Sequence, residues 1–301
     1  MTEGTSATSS QLRSLLPDQN NWQRWLSGAI SVALLIVIVW KLKDFGFAKA
    51  VESLPPSPIF WLAFLGYYFA LPLSEWLIFK RLWGLPASGF AALLRKLVSN
   101  EILLGYSGEA YFYSWARRHT KIVAAPFGAI KDVSILSAIV GNLMTLSMLS
   151  LAWPLVGHVA PDLHPRTIFL SAGVMIGSSM LIFLFKNKIF SLPTSDLRFI
   201  FGIHSARIIL TTLLSGLMWH TALPQTPLLW LVLLATLQLL VTRLPLVPSK
   251  DLVFANLSVF LIGQDGPVST LIGIIATLIL ATHLFIGGVL VIMELFEERE
   301  A

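Results

Sequence analysis

The side chains that could do chemistry are concentrated between Lys96 and Asp132, where charged residues fall among glycines and aromatic residues. Most of the remaining sequence consists of long uncharged apolar runs. Charges flanked by such runs lie either in a water-exposed loop or in a functional interior, because an unpaired charge in an apolar surrounding is costly. The candidate binding residues here are Asn100, Glu101, Gly105, Gly108, Glu109, Arg117, Arg118, Lys131 and Asp132.

A second polar break follows later in the chain, from Arg243 to Asp251. It contributes three further candidate binding residues, Arg243, Lys250 and Asp251. Two interrupted hydrophobic segments at corresponding places in two halves of a chain are a pointer to a substrate site in transporters. The pair of breaks therefore suggests an inverted repeat, although the sequence shows no other self-similarity.

The composition places the chain among polytopic membrane proteins. Hydrophobic residues make up 55% of the 301 residues and charged residues only 12%, whereas a soluble domain carries about 25% charged residues. The net charge of +5 comes from bases in short loops between apolar runs, as membrane orientation requires. We therefore expect no nucleic-acid partner.

Few residues point to catalysis. The chain contains no cysteine, which excludes disulfides and thiolate metal sites. His158, Asp162 and His164 have a spacing that could hold a metal, but a solvated loop is the favoured interpretation. No hydrolase or phosphate-binding motif is present. The sequence predicts no catalytic residue, no cofactor and no metal site.

The predicted fold is an all-α polytopic membrane helix bundle with about seven to eight spans. Residues 1–22 are predicted to be a disordered cytoplasmic N-terminus, 23–295 a single transmembrane domain and 296–301 an acidic tail. Two short segments are predicted to be re-entrant or interfacial: 89–104 carries too much charge to cross simply, and 252–263 is too short to cross. The predicted longer spans are 25–40, 59–79, 133–160, 167–185, two helices within 208–242 divided by Pro224 and Pro227, and 266–293.

Two features of this layout bear on the site. Glu75 lies inside the 59–79 span, where it either faces the protein interior or pairs with Lys80 or Arg81 near the helix end. Tyr106 to Ala110 is the predicted break between two halves of a re-entrant hairpin.

His204 and Arg207 are predicted near the start of a span that follows a basic loop at 186–198. His220 and His283 are predicted to be packing residues.

Charge asymmetry predicts a multi-pass cell-membrane protein with a cytoplasmic N-terminus. If both short segments return to the side they left, most of the bases share one side. These bases are Arg13, Arg24, Lys80, Arg81, Arg95, Lys96, Arg117, Arg118, Lys121, Lys186, Lys188, Arg198, Arg243 and Lys250.

With both breaks described, the chain resembles the transmembrane region of lysylphosphatidylglycerol synthases, a flippase-like membrane family. That family has an Asn followed by a Leu-Pro and Gly-Glu stretch, of which the Leu-Pro is absent here, then an Arg-rich segment and a helix opening with an acid-base pair. Asn100 through Gly108-Glu109, Arg117-Arg118 and Lys131-Asp132 stand in those places here. Pro245-Leu-Val-Pro248-Ser-Lys-Asp-Leu252 stands where the family has a late Pro-Gly-Gly-Leu-Gly stretch. We expect no counterpart here of that family's soluble aminoacyl-transfer domain.

The resemblance implies that the protein binds a membrane lipid, anionic or isoprenoid-linked, and moves it between leaflets without acting as an enzyme. Two alternatives stay open. A membrane-embedded enzyme acting on a lipid-linked substrate would use Glu101, Glu109 or His204. A noncatalytic subunit would act through a membrane-protein partner, or the chain would form a homo-oligomer.

Overall fold

The computed structural model describes residues 55–103, 106–119, 126–159, 189–242 and 267–300, together with isolated positions at 173, 176–177, 180, 184–185, 251 and 254. The predicted span 25–40 and the candidate residues Gly105, Arg243 and Lys250 lie outside these residues, as do Asp162 and His164. Seven helices have bounds within the described part of the chain: α1 (Pro58–Trp83), α2 (Gly89–Ile102), α3 (Ser107–His119), α4 (Pro126–Val159), α5 (Thr194–Ala222), α6 (Leu228–Thr242) and α7 (Pro267–Glu300).

Among the described residues, four segments are long and apolar enough to cross a membrane. They are Pro58–Trp83, Phe127–Leu151, Thr194–Ala222 and Leu271–Met293. Large apolar side chains on these helices are exposed, for example Leu62, Leu213 and Phe285, as a lipid-facing surface requires. The described residues are therefore those of an all-helical protein with apolar helices suited to a membrane, and they contain no β-strand.

Helix α1 is the central element. Its start is favoured by Pro58 at the first helical position, where a missing N–H is tolerated. It continues through the predicted kink site Pro72 and ends at Gly84, whose left-handed backbone (φ 62°) closes the last turn. The Gly84 N–H donates to the Lys80 carbonyl at 2.9 Å. Helix α1 packs along α5 and also contacts α2.

Helices α2 and α3 form a hairpin, as the first polar break predicts. They pack on each other, while α2 also contacts α7 and α3 contacts α4. Two interactions close the hairpin: Ser107 Oγ donates to the Ser99 carbonyl at 2.9 Å, and the Gly108 N–H donates to Asn100 Oδ1 at 2.7 Å. The predicted break at Tyr106 to Ala110 is wrong in position, because α3 already begins at Ser107 and caps its first turn with Asn100.

Other boundaries differ from the sequence predictions. The predicted loop at 186–198 is wrong at its end, since Asp196 lies in the first turn of α5. His204 and Arg207 consequently lie well inside α5 rather than at its start. Helix α4 begins at Pro126 instead of Val133 and passes Pro154 to reach Val159. The divided pair within 208–242 is confirmed, with α5 ending at Ala222 and α6 starting at Leu228.

The two largest apolar clusters of the described residues hold most of the helices together. One joins α1, α6 and α7 through residues such as Phe64, Leu234 and Ile275. The other joins the hairpin to α1, α4 and α5 around Phe79 and Phe112, whose ring centroids are 4.9 Å apart. The hairpin is therefore enclosed by longer helices instead of lying on their surface.

We expect Gly108→Ala to destabilise the protein, because a Cβ at this position would collide with the Lys96 carbonyl of the facing helix α2. Backbone cannot yield as a flexible side chain can, so overpacking of about 1–3 kcal/mol is expected. Thermal unfolding of the purified protein measures this. Gly202→Ala in α5 is the matched control, since a Cβ there would meet nothing within 4 Å. Equal unfolding temperatures for the two variants would contradict the tight hairpin.

Candidate functional site

A buried ion cluster joins three helices at Lys96. Its Nζ lies 2.6 Å from Glu75 Oε1 of α1 and 3.3 Å from Glu109 Oε1 of α3. The side chains of Lys96 and Glu75 are only 5% and 9% exposed, whereas that of Glu109 is 20% exposed. Lys96 therefore links the hairpin to α1 by charge in an otherwise apolar packing environment.

The cluster settles the two interpretations of Glu75. The pairing with Lys80 or Arg81 is wrong: Lys80 lies over the Trp76 ring, and Arg81 pairs with Asp196 at 3.2 Å. Glu75 instead faces the protein interior and accepts from Lys96. Lys96 and Arg95, counted among the bases that indicate membrane orientation, are both buried in α2.

Lys96 keeps its charge in this setting. Burial alone would lower its pKa, but the carboxylates of Glu75 and Glu109 outweigh that effect and hold the pKa of Lys96 above its ordinary value. An opposite charge within a few ångströms stabilises the charged form in this way. The neighbouring Arg95 guanidinium lies 4.6 Å from the centre of the Tyr111 ring, which provides a cation–π contact for a second buried base.

One residue from each polar break interacts with Tyr67 of α1. Glu101 from the first break and Asp251 from the second both act on Tyr67 electrostatically, and Asp251 is also its side-chain hydrogen-bond partner. Gln238 of α6 donates from Nε2 to the Tyr67 hydroxyl at 3.0 Å. The described end of the second break is thus placed against the same helix as the first break.

A small cavity lies beside Tyr67, among residues of α1, α5, α6 and α7. Its polar lining consists of Tyr67, Ser215, Gln238 and Asp251. The remaining lining is apolar: Met218, Trp219, Phe254, Ile272, Ile275 and Ala276. The enzyme candidates Glu101, Glu109 and His204 are not among the residues that line this cavity.

Lys131 and Asp132 have well-defined partners near the start of α5. The Asp132 side chain is fully buried, and its Oδ2 accepts from the Ser191 N–H at 2.7 Å, from Ser191 Oγ at 3.0 Å and from the Leu192 N–H at 2.8 Å. Lys131 donates to the Ile189 carbonyl. These contacts fasten the segment before α5 to α4, so the structure gives both residues an anchoring role beside their predicted role in binding.

The remaining predicted residues are less closely associated. Arg117 donates to the Tyr113 hydroxyl at 3.2 Å one turn earlier on α3, and Arg118 is exposed. Asn100 accepts a hydrogen bond from the Gly108 N–H at the hairpin turn. The structure therefore brings Glu109 into the ion cluster and Glu101 and Asp251 to Tyr67, while Arg117 and Arg118 lie at the end of α3.

Sequence reasoning missed Lys96, Tyr67, Arg207 and Gln238 as interior polar residues. The available signal was Glu75: an acid within an apolar helix requires a base, and Lys96 is that base. Arg207 of α5 donates to Ser137 Oγ of α4 at 3.1 Å.

His283 is confirmed as a packing residue whose hydrogen bonding is satisfied, because its Nδ1 lies 2.8 Å from the Tyr68 hydroxyl.

His204 is fully buried in α5 beside the Val133 backbone, and neither ring nitrogen has a hydrogen bond of normal geometry within the described part of the chain. The described residues also contain no group of three or more His, Asp or Glu side chains that could hold a metal ion.

Comparisons of the chain with protein-family models, with curated proteins and with solved structures give no match. The family resemblance therefore stays a prediction carried by the residues quoted for it, and function has to be inferred from the geometry above.

We expect Lys96→Met to lower the free energy of unfolding by about 3–5 kcal/mol, because it leaves Glu75 buried without its positive partner. Chemical unfolding in detergent checks this value. Lys80→Met is the control, since Lys80 is an exposed lysine on the neighbouring helix. A loss as small as that of the control would contradict an interior ion cluster.

Asp132→Ala should lower the free energy of unfolding by at least about 2 kcal/mol, because the Ser191 and Leu192 N–H groups lose their acceptor. Asp196→Ala provides the comparison, since its ion pair with Arg81 is partly exposed and contributes at most about 1 kcal/mol. Equal losses in the two variants, measured by the same unfolding experiment, would argue against the anchoring role.

Proposed function

We propose that this protein binds a lipid or lipid-linked molecule with an anionic headgroup and translocates it between the leaflets of a cell membrane. The observation that carries this proposal is the ion cluster of Glu75, Lys96 and Glu109, which lies between the helical hairpin and the long apolar helix α1. The proposal includes the multi-pass topology with a cytoplasmic N-terminus and a re-entrant hairpin, as the charge pattern predicts.

Buried charge in this position favours a functional role. Ionisable residues within apolar helices are costly and mark pathways for ions or substrates. A bundle that needed only stability would be as stable or more stable with apolar residues at these positions. Here α1, α2 and α3 contribute two acids and a base to one buried cluster. This arrangement supports a site in which the base can exchange one acid for another anionic group.

The asymmetry of the cluster suggests how a headgroup would enter. Glu75 is the closer and more buried partner of Lys96, while Glu109 is farther away and more exposed. An anionic headgroup could therefore replace Glu109 at Lys96 while Glu75 continues to hold the lysine. The apolar outer faces of the long helices leave the acyl or isoprenoid chain in the bilayer throughout the passage.

The hairpin provides the place for this exchange. Its two helices have 14 and 13 residues, or about 20 Å each at 1.5 Å per residue, which is less than the hydrocarbon core of about 30 Å. A hairpin of that length reaches partway into a membrane and turns back. Irregular backbone at its turn is tolerated where protein shields it.

The alternative of an enzyme acting on a lipid-linked substrate requires an acid–base pair facing a cavity. Glu109 is engaged by Lys96, and the cavity beside Tyr67 is lined by other residues. Translocation is therefore the function that the geometry supports better.

Reconstitution into vesicles tests the proposal. We expect the wild-type protein to move fluorescently labelled phosphatidylglycerol, or a labelled isoprenoid phosphate, between leaflets, and Glu109→Gln to slow the movement at least about tenfold, which corresponds to 1.4 kcal/mol. Asp196→Asn, at a partly exposed acid that pairs with Arg81 outside the site, is the matched control and should move lipid at the wild-type rate. Failure to move either lipid class, or equal rates for Glu109→Gln and wild type, would contradict the proposal.

A further inference from the structure

The cavity beside Tyr67 contains a polar atom that lacks a partner. Ser215 is fully buried in α5, lines this cavity, and its Oγ has no hydrogen-bond partner within the described part of the chain. A buried hydroxyl without a partner destabilises a protein by about 1–3 kcal/mol. The cavity is therefore incomplete without an occupant that interacts with the Ser215 hydroxyl.

The charge around the cavity favours a cation. Tyr67, which lines it, is acted on by the carboxylates of Asp251 and Glu101 and by the guanidinium of Arg207. Asp251 places a carboxylate on the lining of the cavity. A water molecule would satisfy Ser215, whereas a cation would interact with both the Ser215 hydroxyl and the Asp251 carboxylate.

The ligand chemistry matches a hard cation. Asp251 provides a carboxylate, Ser215 a hydroxyl oxygen and Gln238 an amide, all on the cavity lining. Gln238 donates from Nε2 to Tyr67, and its oxygen is the other polar atom of that amide. Oxygen ligands of this kind are those that hard cations prefer. One carboxylate with neutral oxygens corresponds to a monovalent rather than a divalent ion.

We propose that this cavity is a binding site for a small monovalent cation such as Na⁺, with Asp251 as the charged ligand and Ser215 and Gln238 as neutral ligands. Asp251 belongs to the second polar break, and coupling-ion sites in transporters are built at such interruptions. A role for this ion in driving lipid translocation rests on the proposed function, but the binding of the ion does not.

Thermal unfolding of the full-length protein in detergent tests the site, with NaCl exchanged for choline chloride at constant ionic strength. We expect Na⁺ to raise the unfolding temperature of the wild type in a saturable manner, because a ligand that binds only the folded state stabilises it. Asp251→Asn should abolish the response, and Ser215→Ala should weaken Na⁺ binding about tenfold.

Thr212→Ala is the matched control, because Thr212 is on the same helix and its hydroxyl donates to the Ile208 carbonyl within α5. It should keep the full response to Na⁺. Direct binding of radioactive Na⁺ to the wild type provides a second measurement that does not depend on any variant folding correctly.

Three results would overturn the inference: no response to Na⁺ in the wild type, an unchanged response in Asp251→Asn, or a dependence on pH with none on Na⁺. The last would assign a proton to Asp251 instead. Na⁺ binding without lipid movement would leave this site intact and contradict only the proposed function. Lipid movement without Na⁺ binding would support the proposed function and contradict the Na⁺ site.

Discussion

A buried lysine must have a negative partner, and this requirement governs how the hairpin sits in the bundle. Lys96 contacts a carboxylate of α1 on one side and a carboxylate of α3 on the other. The same helix α2 approaches α3 so closely at Gly108 that no side chain fits. Charge pairing and close backbone contact thus fix α1, α2 and α3 relative to one another before any ligand is considered.

A few polar groups lie in the mostly apolar interior along α1. Glu75 contacts Lys96, while Tyr67 and Tyr68 contact Gln238, Asp251 and His283. Large apolar side chains are exposed on the outer sides of the long helices. Charged and polar groups inside an apolar exterior support the proposal that a headgroup passes inside the protein while its chains stay in the bilayer.

The sequence predicted the class of fold because long uncharged runs give apolar helices. It identified the amphipathic segment 89–104 and offered the hairpin as one of two interpretations of it, but it did not predict helix α3. It could not predict that Lys96 is buried, since the apolar face of α2 was visible in the sequence but the helices covering its other face were not. Only tertiary packing shows that α1, α3 and α7 surround it.

Asp132 illustrates the same limit. Its place at the start of an apolar helix suggested a binding residue, but its carboxylate is occupied by Ser191 and Leu192, about sixty positions later in the chain. Helix-start predictions failed at α4 and α5 for a related reason. Both helices begin before their apolar runs do, because early polar residues such as Asp132 and Asp196 have partners on other elements.

The position of the hairpin against α1 depends on the interaction between Glu75 and Lys96. A double-mutant cycle of Glu75→Gln and Lys96→Met, followed by reversible unfolding in detergent, measures that interaction directly. We predict a coupling free energy on the order of 1–3 kcal/mol, with the double variant more stable than the sum of the single losses implies. Strictly additive losses would show that the two side chains do not interact and would contradict the account.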